Sequence, residues 1–120
     1  MFRNFLIVGC GGAIGAMLRY GVTLIFVVLN LSNNMATLCV NVVGSFCIGV
    51  LMKSIGQNPL LLFLTVGICG GFTTFSTFSA QSVGLIQEGR YAMAALYVSG
   101  MSILCVLFAA IGMMIGQRIR

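Results

Sequence analysis

The chain has 120 residues, 60% of them hydrophobic, with six Lys and Arg, one acidic residue and no histidine. A soluble domain needs a charged surface, so this composition excludes an ordinary soluble fold and points to a chain solvated by lipid. The net charge of +5 is scattered along the chain without the clustered basic face or aromatic platforms of a nucleic-acid binder, and no nucleophile stands beside a base, which disfavours an enzyme.

Four apolar blocks follow one another, Phe5 to Leu29, Met35 to Met52, Leu60 to Ile86 and Tyr91 to Gly116. Each is of the order of the ~20 residues that cross a ~30 Å hydrocarbon core. The expected fold is all-α integral membrane, one four-helix transmembrane domain over residues 1–120. In the first block, the apolar stretch after Arg3 outruns the short core of a cleavable signal peptide and reads as a retained span. Its Phe5 to Gly15 segment imitates a strand followed by a dinucleotide-binding glycine loop. Ile14 stands where the third glycine belongs, and no acidic residue lies about 20 positions on to hold a ribose, so helix packing is the better reading. Arg19 is the one full charge embedded in a span. It either raises the anion potential of a vestibule or snorkels to the interface.

The second block carries Asn41, with Gly44 and Ser45 one turn along on the same face. An amide in an apolar helix should face protein or water, and interhelical glue and a pore-lining donor are equally open from position alone. Between the blocks, Asn30 to Asn34, Lys53 to Pro59 and Gln87 to Arg90 are turns between antiparallel neighbours.

The third block has length to spare for a break near Gly70 to Thr74, and its middle reads Gly70-Gly71-Phe72-Thr73-Thr74-Phe75-Ser76-Thr77-Phe78. Such helix-weakening sequence is tolerated inside a membrane only where the backbone is buried in protein or lines a polar cavity, so a break at mid-membrane depth is expected here, at a permeation or binding site. On a helix starting near Thr74, Phe75 and Phe78 share one face, and Thr74, Thr77 and Gln81 form an adjoining polar strip. Ring edges and neutral donors of this kind can surround an anion. The alternative is core packing by the rings, with the hydroxyls bonded back to their own helix.

The glycine pairs Gly11/Gly15, Gly67/Gly71 and Gly112/Gly116 are each four apart and clear helix faces for close approach. The five cysteines lie in apolar spans without a C-x-x-C pair and read as small buried hydrophobes. With four spans, Arg3, Lys53, Arg118 and Arg120 share one side against Arg90, with Arg19 inside the first span. That bias is weak enough to allow insertion in both orientations under the positive-inside rule.

The Gly70 to Ser79 stretch closely resembles the signature of the Fluc/CrcB fluoride channels. The resemblance extends to Gly11-Gly12-Ala13-Ile14-Gly15 with Ala16 to Tyr20, to Asn41-Val42-Val43-Gly44-Ser45-Phe46, and to Gln87-Glu88-Gly89-Arg90. It implies a multi-pass protein of the cell membrane, an antiparallel dual-topology homodimer with two fluoride pores, and passive export of fluoride that relieves its toxicity. By the same resemblance Asn41 is the pore amide, Phe75 and Phe78 are the rings flanking fluoride, and Ser76 and Thr77 supply hydroxyls along the track. The carbonyls of Gly70 and Thr73 would hold a structural sodium ion between the subunits, and Arg19 would sit near a vestibule. Tyr97 fits its expected place in the fourth span, whereas Met101 stands where serine is frequent in the family, with Ser102 beside it.

Two rivals remain at this stage. A small multidrug exporter would also be a short four-span dual-topology dimer, but proton-coupled cation export calls for a membrane-embedded carboxylate, and the sole acidic residue, Glu88, falls in a loop. A half-channel subunit active only as a heterodimer is the other.

Overall fold

The structure is a computed structural model that describes residues 1–119; Arg120, counted above among the charges at one end, lies outside the described residues. Its elements are α1 (Phe2–Val28), α2 (Asn33–Ser54), α3 (Pro59–Leu62), a π-helical segment (Phe63–Cys69), α4 (Gly70–Phe72), α5 (Phe75–Gln87) and α6 (Tyr91–Ile119). The stretch from Pro59 to Gln87 acts as one rod, so four helical rods are long and apolar enough to cross a membrane. Each expected block is present and extends by one to three residues beyond most of its expected ends.

Local chemistry sets the ends. Ser32 caps α2 by accepting from the Met35 N–H, and Asn58 caps α3 by accepting from the Leu61 N–H, with Pro59 at the first helical position. Asn30 and Gly89 take positive φ in the two turns at the opposite end of the bundle, where left-handed backbone reverses the chain at least cost in a glycine or asparagine.

Packing is governed by glycine. A Cβ on Gly11 would lie 2.8 Å from the Gly67 Cα, one on Gly67 would lie 2.9 Å from the Gly11 Cα, and one on Gly15 would strike the Ile68 carbonyl. The Gly11/Gly15 and Gly67/Gly71 pairs thus face each other, bringing α1 against the third rod backbone to backbone. A second seam joins α2 to α6, where Gly49 meets Ala109, Gly112 meets Phe46 and Gly116 meets Val50. In both seams the numbers rise together along the two helices, so α1 runs parallel to the third rod and α2 parallel to α6. The N-terminus, the turn after Ser54 and the end of α6 therefore share one end of the bundle.

The π-helical turns were not foreseen. A wider turn shifts the register of the third rod just before the break, a pattern frequent at functional sites. The break itself was expected across Gly70 to Thr74. In the structure Gly70 to Phe72 remain helical, and the chain turns extended at Thr73 (φ −84, ψ 158) and Thr74 (φ −147, ψ 120). Gly71 serves the seam with α1, Gly70 lines the cavity and the threonines make the opening.

Candidate functional site

At the break, the amide of Asn41 replaces the missing turn of helix. Its Oδ1 accepts from the Thr74 N–H at 2.8 Å, and its Nδ2 donates to the Thr74 carbonyl at 2.9 Å. One carboxamide thus satisfies both main-chain groups of one extended residue, as a residue on a neighbouring β-strand would. Asn41 is 8% exposed, and an unpaired N–H at that depth costs about 1–3 kcal/mol. Of the two roles open from the sequence, the interhelical bond is therefore present. The remaining Nδ2 hydrogen points to the Met101 Sδ at 3.5 Å, and a thioether is a weak acceptor. That hydrogen is the donor the site can offer to something else.

The same rearrangement frees main-chain oxygens. The Thr74 N–H would have continued the helix onto the Gly70 carbonyl but goes to Asn41. The Thr77 N–H would have reached the Thr73 carbonyl but goes to the Thr74 Oγ1, which caps α5. The two carbonyls assigned above to a cation are thus among those at the break that lose their helical donors. Gly70 and Thr73 also line one cavity of about 450 Å³ with Asn41, Thr74 and Phe75. Oxygen-only donors suit a hard cation, and freed carbonyls at half-helix ends are a known sodium-type arrangement.

Arg19 turns inward. Its Nε donates to the Gly71 carbonyl at 3.1 Å, and the residue is half-buried. This bond ties the guanidinium to the helix just before the break.

From the cavity, three rings run along α5 towards α6. Phe75 and Phe78 meet edge to face with centroids 5.6 Å apart, and Phe78 and Tyr97 do the same at 5.3 Å. Phe78 is buried, whereas Phe75 is 78% exposed on the single chain. The Tyr97 hydroxyl donates to the Gln81 Oε1 at 2.6 Å. Gln81 and Tyr97 line a second cavity, of about 520 Å³, that reaches Glu88 and Arg90 at the end of the bundle. The exposed Arg90 and Glu88 face each other at 3.6 Å. The rings run between a cavity lined by uncharged residues and one with the Arg90–Glu88 ion pair at its rim.

Ser76 and Thr77 stand apart from this track. Both hydroxyls gather on the Thr74 Oγ1, at 3.4 and 3.1 Å, and neither residue is among those lining the two cavities. Ser79, Ser82 and Ser102 bond back to the carbonyls of Phe75, Phe78 and Val98, which is the core-and-backbone reading for those hydroxyls. Met101 is buried, and it touches Asn41 and the Cys105 thiol. Sequence reasoning missed the pairing of Asn41 with Thr74. Nothing in the spacing of two residues 33 positions apart could show it.

Membrane-length apolar rods, one broken and opened onto an uncharged cavity, define a multi-pass membrane protein whose site is built on discontinuous helices. Residues 6–113 match the family model described as CrcB-like protein, Camphor Resistance (CrcB). Among curated proteins the chain is 43% identical to a fluoride-specific ion channel FluC 1 of Listeria innocua, covering 97% of this chain and 99% of the other. It is 42% identical to a fluoride-specific ion channel FluC of Campylobacter jejuni, over 96% and 98%. A third, the FluC channel of Elusimicrobium minutum, is 41% identical over 88% and 87%. The chain belongs to the CrcB family: it is a membrane protein of a channel family and not an enzyme.

Proposed function

We propose that the chain is a fluoride-selective channel that lets fluoride leave the cell passively, working as an antiparallel dual-topology homodimer with a sodium ion at its centre. The observation that carries the reading is the row of ring edges, Phe75, Phe78 and Tyr97, between the Asn41 cavity and the Gln81 cavity. Names of close relatives support the choice of ion.

Fluoride surrenders a tight hydration shell on entering any narrow path. Neutral donors at short range offset that loss, whereas a full charge in the filter would trap the ion. Phe75 and Phe78 present the positive rims of their rings, the second Nδ2 hydrogen of Asn41 swings from the Met101 sulfur to the ion, and the Gln81 amide and the Tyr97 hydroxyl follow. Ser76 and Thr77 join only by turning away from the Thr74 cap, and that exchange is part of the proposal. Arg19 beside the break raises the anion potential at its approach.

Enclosure calls for a second copy. Phe75 lies on the outside of one chain, so a ring that is to flank an ion needs another wall. The weak charge bias supports a partner inserted in the opposite orientation. The carbonyls of Gly70 and Thr73, doubled by that partner, would hold sodium, which supplies fixed positive charge without a basic side chain in the path. The break then falls near mid-membrane depth. Because fluoride enters cells as HF and ionises inside, an interior-negative potential of about 2.3 kcal/mol per charge per 100 mV drives it outward.

Substituting the rings tests this. Phe75→Ile or Phe78→Ile should abolish or sharply reduce fluoride efflux from liposomes while the protein elutes as the native dimer. Unchanged efflux in both variants would remove the rings from the mechanism. A native chain silent alone but rescued by a co-expressed paralogue would mean a heterodimer instead.

A further inference from the structure

The cavity at the break is lined with sulfur to a degree its proposed role does not explain. Met101 and Cys105 stand one turn apart on α6 with Sδ and Sγ separated by 3.8 Å, and Cys69, from the third rod, lines the same cavity. Cys69 and Met101 are both buried. Among the described residues no three histidine, cysteine or carboxylate side chains come together to hold a metal, which rules out a hard or borderline divalent centre built from those ligands. Thiol and thioether together have a different preference, for soft monovalent ions.

We propose that Cys105 and Met101, with Cys69 as a third donor, form a binding site for a soft monovalent d10 cation of the Cu(I) or Ag(I) class. Metal–sulfur bonds of ~2.3 Å at trigonal angles place two sulfurs ~4.0 Å apart, so the Cys105–Met101 pair needs almost no adjustment. Cys69, which lines the same cavity from the third rod, is the further sulfur that the cavity offers. As the metal–sulfur bond forms, the Cys105 thiol gives its proton to water, and thiolate and cation neutralise each other in an apolar wall. The Met101 sulfur exchanges its weak contact with Asn41 for the metal. A seated ion occupies the part of the cavity beside Asn41, whichever ion that cavity otherwise passes.

Silver ion is the probe. In the full chain with Cys10, Cys39 and Cys47 replaced by alanine, native mass spectrometry and titration calorimetry should show one Ag+ per chain. Losing even an outer-shell partner of a metal ligand costs ~10–100-fold in affinity, so Met101→Leu should weaken binding by at least about tenfold. Cys105→Ser should abolish it, with elution and helical circular dichroism unchanged. Binding as tight in Met101→Leu, or retained without Cys105, would reduce the site to a solitary thiol or remove it. If Met101→Leu does not fold, the native chain carries its own reference, because Cys10 is exposed and has no sulfur partner among the described contacts. Ag+ should then protect Cys105 from N-ethylmaleimide at a concentration about tenfold below that protecting Cys10. Equal protection of the two thiols would overturn the site.

Discussion

Where α1 lies against the third rod, glycine faces glycine and the backbones meet directly, the one described side-chain bond across the seam running from the Arg19 Nε to the Gly71 carbonyl. A few residues further along the same rod, at Thr73 and Thr74, the helix opens and its polar groups depend on a side chain from α2. The first arrangement is tight and chemically inert, while the second leaves a cavity, two diverted carbonyls and a spare amide hydrogen. Rigidity and reactivity are thus placed next to each other on one rod. In lipid this division is strict, because an open backbone has no water to fall back on.

Substitutions on the two sides of this contrast should behave differently. The largest effect on stability is expected in the seam. Gly15→Leu drives a side chain into the Ile68 carbonyl and should lower stability by about 3 kcal/mol, the upper range of overpacking, seen as a collapsed unfolding midpoint in detergent. Gly9→Ala, where a Cβ meets nothing within 4 Å, should leave the midpoint unchanged or raise it. Asn41→Ala comes next. It orphans both main-chain groups of Thr74 and should cost about 2 kcal/mol, less than in a dry soluble core because membrane hydrogen bonds are individually modest, while fluoride efflux is lost. Replacing sodium by a larger organic cation during purification should lower flux without unfolding the protein; equal flux without sodium would count against Gly70 and Thr73 as its ligands. The smallest effect belongs to the back-bonded hydroxyls: Ser79→Ala should change stability by less than about 0.5 kcal/mol and leave flux intact, and a large loss would show that this hydroxyl leaves its helix to meet an ion.

The four rods were legible because apolar length is a strong signal in a chain with so few charges. The site was legible in outline, since glycines, threonines and alternating rings in the third rod announce backbone that cannot remain a plain helix. What escaped was relational. The glycine spacing revealed faces ready for close approach but not that Gly11 and Gly15 would meet Gly67 and Gly71. The break could be bounded to five residues, but its placement at Thr73 and Thr74 depends on an amide 33 positions earlier. The π-helical turns have no local signature in the sequence. The hydroxyls of Ser76 and Thr77, read as facing the track, cluster on the cap because an open helix end competes for the same donors and acceptors.

The most direct test of the account is ion efflux from liposomes holding this chain alone, measured with fluoride and chloride side by side. Rapid loss of fluoride with chloride retained is the predicted result. Equal loss of both ions would contradict the account, as would no fluoride loss from correctly assembled protein, with or without a paralogous subunit.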